Sequence, residues 1–155
     1  MTSPSNPVWQ DIRDEATREE ILDGIDMLWS AVWPALSTLS ADALDAPVAG
    51  QEWCPRELMA HLAHWNEAHR FAVSEHIAGR TANIYAGWRP KNDQWFGEDA
   101  TISARDASSR LRDSHVRLRE LLQSLTAPQW DDEVRAFVLQ CPLRHYREHL
   151  EALVQ

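Results

Sequence analysis

With 155 residues and 17.8 kDa, the chain has the size of one ordinary domain and can bury a core without disulfide bonds. Its 15 Lys and Arg against 24 Asp and Glu give a net charge of -9, which would repel the phosphates of DNA and RNA. Its 2 cysteines form no Cys-x-x-Cys pair, and no stretch approaches the roughly 18 apolar residues that span a bilayer. We therefore expect a cytoplasmic protein with reduced thiols that binds neither nucleic acid nor membranes.

The N-terminal part of the chain divides into an arm and a helix. Residues 1–16 contain two prolines and several charges without a sustained apolar period, which predicts a loose arm. Thr17 followed by Glu20 has the form of a capping box. Apolar residues then recur at spacings of three and four up to Leu39, and this period predicts the first helix.

The second predicted helix carries several histidines. It begins with Pro55, because proline suits the first helical position, and runs to about Ile77. His61 lies inside its apolar stripe, whereas His64 points toward the edge of the stripe. Residues 80–102 then show no helical period but contain glycines, a proline and aromatic residues. A connection this long is typical of a lid or a crossover, and it would let the second and third helices run parallel.

Two more helices complete the predicted domain. Ser103 with Asp106 predicts the start of the third helix, and Cys141-Pro142 predicts the start of the fourth. Four amphipathic helices and no convincing strand predict an all-α four-helix bundle over residues 17–155.

Three histidines form the candidate metal site. His145 and His149 lie one turn apart on one face of the fourth helix, roughly 6 Å between their Cβ atoms, a spacing that suits two ligands of one ion. Ordinary polar helix edges also carry such pairs. His61 strengthens the prediction, because an imidazole on an apolar face needs a partner, which a metal or a buried hydrogen bond can supply. The helix lengths allow the three residues to lie level.

Three further residues could serve as ligands. His64 is the second choice for the ligand from the second helix. Cys141, four residues before His145, could coordinate, although a small buried thiol is the commoner role for such a residue. His115 in the third helix is more typical of a hydrogen-bonded core or rim group.

Aromatic and acidic residues are candidates for binding and proton transfer. Trp65, Trp95 and Phe96 are the predicted walls of a substrate pocket, although core packing explains Trp65 equally well. We expect Trp95 or Phe96 to be buried near the histidines. Trp29 and Trp33 would suit the interface of a homodimer if they are exposed. No single general base stands out among the candidates Glu57, Glu67, Asp93 and Glu148.

Two motifs resemble those of the DinB/YfiT-like metalloenzyme family. The first is Trp53 followed by a helix start and His61, in Glu-Trp-Cys-Pro-Arg-Glu-Leu-Met-Ala-His-Leu-Ala-His-Trp, and the second is the terminal His-Tyr-Arg-Glu-His-Leu. The resemblance covers nearly the whole chain. It implies an up-down-down-up bundle, which agrees with the long connection over residues 80–102.

The resemblance also implies a site and a class of activity. The family typically holds a metal on one histidine of the second helix and a pair four apart on the fourth, here His61, His145 and His149. Cys54 replaces the Ser or Thr that many relatives carry before the second helix, which bears on capping more than on the metal. Family members include thiol transferases, isomerases and hydrolases.

The sequence therefore supports two functional hypotheses. The first is a metal-dependent enzyme acting on a small molecule, a hydrolase or a thiol-dependent transferase. Its cofactors would be a divalent Zn, Ni, Mn or Fe ion and a low-molecular-weight thiol. Three histidines leave a coordination position open for water or a ligand atom, as in catalytic sites. The alternative is a non-enzymatic bundle that binds or sequesters a hydrophobic small molecule through its tryptophans.

Overall fold

The computed structural model describes residues 15–48 and 50–154, so the arm predicted for residues 1–16 lies almost wholly outside the described residues. Over the described residues the chain consists of helices and turns without a strand, which confirms the predicted all-α fold. None of these helices is long and apolar enough to cross a membrane. The helices are α1 (Arg18–Ser37), α2 (Ala41–Asp45), α3 (Pro55–Ile77), α4 (Trp88–Glu98), α5 (Ala104–Ser124), α6 (Asp132–Val138) and α7 (His145–Leu153), with a π-helical turn over Leu139–Arg144.

The three long helices start where the sequence predicts, and a side chain caps each start. At α1, Thr17 Oγ1 accepts the Glu20 N–H at 3.2 Å and the Glu20 carboxylate accepts the Thr17 N–H at 3.0 Å, a complete capping box. At α3 the Glu57 carboxylate accepts the Cys54 N–H at 3.0 Å. The side chain of Ser103 caps α5. These caps satisfy N–H groups that have no partner inside the helix.

Helix α4 lies in the connection for which the sequence shows no helical period. None of its side chains is buried, and apolar periodicity records only burial, so the pattern could not predict it. The helix is fastened to α3 by a hydrogen bond of 2.8 Å from Trp65 Nε1 to Asn92 Oδ1. The connection is therefore a structured crossover that lies against α3.

The fourth predicted helix begins earlier than Cys141-Pro142, and this part of the prediction is wrong. Helix α6 starts at Asp132, and the chain passes through the π-helical turn before α7 begins at His145. Cys141 itself is extended, with φ -145° and ψ 127°, because the proline ring after it disfavours the helical conformation. Cys141 thus interrupts a helical arm that starts nine residues before it.

Side-chain pairs indicate the directions of the long helices. Three hydrogen bonds join α3 to α5 or to the residues just before α5. Their partners are 46, 48 and 50 positions apart: Arg56 with Ile102, Asn66 with Ser114, and Glu67 with Arg117. A nearly constant separation means that α3 and α5 run parallel. Between α1 and α5 the numbers change in opposite directions, because Arg18 contacts Leu122 and Asp26 contacts Arg119. These contacts favour the up-down-down-up order, which stays a prediction.

One hydrophobic core joins the helices. It contains fully buried residues from α1, α3, α5 and the α6–α7 arm, among them Ile21, Ile25, Leu28, Leu58, Leu62, Leu111, Leu118, Leu122, Val138 and Tyr146. Each such apolar side chain contributes about 1.5–3 kcal/mol through burial. The core therefore supplies a stable scaffold on which the histidines are held.

Trp29 and Trp33 are partly buried and pack against the core instead of standing out from it. Trp29 stacks on His115 with ring centroids 3.8 Å apart, and Trp33 stacks on Trp29 at 5.3 Å. Part of the tryptophan surface that the sequence suggested for a homodimer interface is thus packed within the chain. The homodimer itself stays a prediction.

Candidate metal centre

Three imidazoles meet between α3 and α7. His61 Nε2 lies 2.9 Å from His145 Nε2, and His149 Nε2 lies 3.1 Å from that same atom. One nitrogen from each ring lies within 4.8 Å of those of the other two. His61 points out of the second turn of α3, while His145 and His149 begin successive turns of α7. The structure thus brings together the three residues that the sequence singles out.

The surroundings keep these imidazoles neutral. Burial, aided by the neighbouring histidines, lowers the pKa of His61 to about 3. Burial lowers the pKa of His149 to about 4, and burial together with the other histidines holds the pKa of His145 well below its usual value. A metal ligand must offer an unprotonated nitrogen, so the site needs no further deprotonation at neutral pH.

The spacing of the nitrogens suits a small divalent ion. An ion about 2.1 Å from each nitrogen at tetrahedral angles would separate the nitrogens by about 3.4 Å. The two closest pairs, at 2.9 and 3.1 Å, need to move apart by only a few tenths of an ångström. Buried His149 Nδ1 has no hydrogen-bond partner among the described residues. The donor set and its geometry therefore fit a three-histidine site with open positions.

A cavity of about 800 Å³ adjoins the three histidines. A volume of this size suits a small-molecule ligand. Its apolar part consists largely of aromatic rings, and two carboxylates and two amides provide polar groups. The lining residues are His61, Trp65, His69, Tyr85, Trp88, Asn92, Glu133, Ala136, Phe137, Gln140, Cys141, His145, Glu148 and His149.

The three predicted pocket residues occupy different places. Trp65 lines the main cavity. Trp95 stacks on His64, with ring centroids 4.6 Å apart and ring planes within 1°, and Phe96 is 39% exposed. Both line a small neighbouring pocket that also includes His61. The sequence predicts that one of the two is buried near the histidines. This prediction of burial is wrong, because Trp95 is only partly buried and Phe96 is exposed. Substrate contact by either residue stays a prediction.

His64, the second choice for a ligand, points elsewhere. Its Nε2 lies 2.6 Å from a carboxylate oxygen of Asp99, and Arg110 donates to the other oxygen of Asp99 at 3.1 Å. This ion-paired group joins α3 to the end of α4 and to α5. His64 therefore fastens the connection and is not part of the histidine cluster.

His115 and Cys141 lie behind the cluster. His115 Nδ1 lies 3.0 Å from the Tyr146 hydroxyl in the core, as expected for a hydrogen-bonded core group. Cys141 Sγ lies 4.0 Å from His145 Nδ1, the ring nitrogen that faces away from His61 and His149. Neither residue belongs to the cluster of metal-ligating atoms.

Sequence reasoning missed the polar pair of His69 and Tyr85. His69 Nδ1 lies 2.9 Å from the Trp65 carbonyl and can only donate to it, so the neutral ring accepts the Tyr85 hydroxyl at Nε2, 2.8 Å away. Burial lowers the pKa of His69 to about 4 and raises that of Tyr85 to about 12. The detectable signal was the i, i+4, i+8 spacing of His61, Trp65 and His69, which places all three on one face of α3.

The comparison with protein families agrees with this geometry. The family model of the mycothiol maleylpyruvate isomerase N-terminal domain matches residues 25–150. The chain belongs to this family. The family is of the DinB/YfiT-like helical kind, which confirms the resemblance drawn from the motifs, and the matched range contains His61, His145 and His149. A comparison with curated proteins found none that matches.

Proposed function

We propose that this protein is a metal-dependent enzyme that acts on a small molecule with the help of a low-molecular-weight thiol. The observation that carries the proposal is the convergence of His61, His145 and His149 beside a cavity of about 800 Å³. The family takes its name from a mycothiol maleylpyruvate isomerase, and this name favours thiol chemistry over simple hydrolysis. Mycothiol or a related thiol is the proposed cofactor, and Zn, Ni, Mn or Fe is the proposed ion.

The three histidines would hold the ion and leave part of its coordination sphere facing the cavity. A divalent ion bound there would supply a Lewis acid that lowers the pKa of a thiol or a water molecule. Trp65 and Phe137 provide apolar walls that exclude water and orient a ligand. The hydrogen bond from Trp65 to Asn92 fixes one of these walls and one edge of α4.

Glu148 is the best placed of the four candidate general bases. Glu57 accepts the Cys54 N–H, Glu67 pairs with Arg70 and Arg117, and Asp93 lies on α4 outside the lining of the main cavity. Glu148 alone among them lines the main cavity, and it directly precedes His149. We assign it the acceptance of a proton from the thiol or from the substrate.

Metal analysis tests the first half of the proposal. Protein purified without a histidine tag should bind one equivalent of Zn²⁺, and His61→Ala, His145→Ala and His149→Ala should each lose most of it. His64→Ala and His76→Ala are matched controls, because both residues pair with carboxylates away from the cluster, and both variants should keep the metal. Loss in the controls but not in the three variants would overturn the assignment.

Thiol binding tests the second half. The zinc-loaded protein should bind mycothiol with release of a proton, because a thiol must ionise to bind the ion. S-methylated mycothiol, which has the same body but no ionisable thiol, should bind at least tenfold more weakly. Equal binding of the two compounds, without proton release and unchanged after chelation, would favour a non-enzymatic binding bundle.

A further inference from the structure

A line of buried polar groups runs from His145 into the core between α3, α5 and α7. Its members are among the most buried polar side chains of the described chain: Asn66, Ser114, His115, Cys141 and Tyr146, none more than 6% exposed. Buried polar groups are retained where each has a partner, so their hydrogen atoms can be assigned by counting donors and acceptors.

Ser114 fixes the first of these assignments. Its hydroxyl donates to the Leu111 carbonyl at 2.9 Å, so its oxygen must accept from Asn66 Nδ2, 3.2 Å away. Asn66 Nδ2 uses its second hydrogen on the Tyr146 oxygen at 2.7 Å. The orientation of the Asn66 amide is thereby fixed, because the reverse orientation would leave Ser114 facing a second acceptor with no hydrogen to give.

Tyr146 continues the line away from the histidine cluster. Because its oxygen accepts from Asn66, its own hydrogen is free for His115 Nδ1, 3.0 Å away. His115 then carries its proton on Nε2. The ring of Trp29 stacks on the face of the His115 ring. Each of these groups has one consistent role as donor or acceptor.

In the other direction the line reaches the cluster through Cys141. With both amide hydrogens spent, Asn66 Oδ1 accepts the thiol hydrogen of Cys141, whose sulfur lies 3.6 Å away. An amide oxygen has no hydrogen to donate, so this contact requires that the hydrogen is on the sulfur. The sulfur can therefore only accept from its remaining neighbour, His145 Nδ1 at 4.0 Å.

We propose that Asn66 and Cys141 are positioning residues that hold His145 in the tautomer with its proton on Nδ1. The Nε2 lone pair of His145 is thereby turned toward His61 and His149, the orientation that a metal ligand needs. Cys141 is extended before Pro142 and lies four residues before His145, and its sulfur contacts His145 Nδ1 from there. Only the purpose of the tautomer rests on the proposed function; the tautomer itself is a property of the metal-free protein.

The tautomer and the metal affinity can be measured separately. In metal-free protein with ¹⁵N-labelled histidine, the ring ¹⁵N shifts of His145 should show a protonated Nδ1 and a bare Nε2. Cys141→Ala should mix the two tautomers and weaken Zn²⁺ binding, measured by competition with a chromophoric chelator, by roughly 10- to 100-fold. Cys141→Ser, which keeps one hydrogen and its lone pairs, should restore part of both. Cys54→Ala removes the other buried thiol, at the N-cap of α3, and should change neither.

Three outcomes would overturn the proposal, and a fourth would separate it from the proposed function. A wild-type His145 with its proton on Nε2 would overturn the proposal, even if Cys141→Ala does not fold. An unchanged tautomer in folded Cys141→Ala would also overturn it, as would a thiolate charge-transfer band on Co²⁺ loading that disappears in Cys141→Ser, because Cys141 would then be a ligand. A wild-type protein with the expected tautomer but no Zn²⁺ binding would support the positioning role and refute the proposed function.

Discussion

His61 Nε2 and His145 Nε2 lie 2.9 Å apart although the residues are separated by 84 positions in the chain. Two neutral imidazoles at this distance can share a single hydrogen, and the third ring, of His149, competes for the same atom. Burial of closely spaced nitrogen atoms costs free energy unless an ion or a hydrogen atom binds among them. The metal centre proposed for this protein depends on that contact and on the groups that surround it.

The metal-free protein should lose stability as the pH falls below about 6.5. His61, His69, His115 and His149 have folded-state pKa values of about 3 to 4, below the unfolded value of 6.5, so the unfolded chain binds more protons over this interval. Their stabilising effect is complete above pH 6.5 and is lost as the pH falls, by about 1.4 kcal/mol per pH unit for each histidine.

Urea unfolding between pH 4.5 and 7.5 measures this dependence. His69→Gln should make the slope shallower by about one proton, while His76→Gln should not, because the pKa of His76 is raised by its hydrogen bond to Asp131. A stability that does not change with pH, or that rises as the pH falls, would show that the histidines are not buried in the neutral form.

Chelation should leave the fold intact. The core residues and not the ion supply most of the folding free energy. Removal of zinc should therefore lower the free energy of unfolding by RT ln(1 + [Zn²⁺]/Kd), and lower Tm with it, without loss of helical circular dichroism. Leu118→Ala, which empties part of the core, should by contrast cost about 2–5 kcal/mol with or without metal. Collapse of the helical signal on chelation would mean that the ion is structural.

Helix α4 should loosen when its ion-paired fastening is removed. Asp99 is 7% exposed and accepts from both His64 and Arg110, so Asp99→Asn replaces a paired carboxylate by a neutral amide. We expect cleavage by trypsin after Lys91 to become about tenfold faster, while zinc binding stays unchanged. Glu75→Gln, which breaks an exposed pair with Arg80, is the control and should have little effect. Equal cleavage in both variants would contradict the fastening role.

Glu148→Gln should separate turnover from metal binding. If Glu148 accepts a proton, turnover should fall by about 10²- to 10⁴-fold while the zinc content stays at one equivalent. Glu151→Gln alters an exposed carboxylate on the same helix, outside the cavity lining, and should keep full activity. Turnover in Glu148→Gln equal to that of Glu151→Gln would remove Glu148 from the proton transfer.

The sequence predicts the long helices and the histidine cluster because both appear as residue patterns with helical spacing. Capping residues and apolar stripes define α1, α3 and α5, and the spacing of His145 and His149 depends only on helix geometry. His61 could be paired with them because the helix axial rise fixes its height.

Other features depend on contacts that no local pattern records. Helix α4 has no buried side chain, and so it carries no apolar stripe. Helix α6 is short, and the sequence does not predict it because Cys141-Pro142, which follows it, resembles a helix start. The link between His145, Cys141 and Asn66 joins residues up to 79 positions apart, a relationship that only the packing of α3 against the π-helical turn creates.

X-ray absorption spectroscopy of the zinc-loaded, untagged protein tests the three-histidine metal centre most directly. We predict three imidazole nitrogens at about 2.0–2.1 Å from zinc, completed by oxygen, with one imidazole fewer in His61→Ala. The matched variant His64→Ala should reproduce the wild-type spectrum. A protein that holds no stoichiometric zinc, or a spectrum that is the same in His61→Ala as in the wild type, would contradict this metal centre.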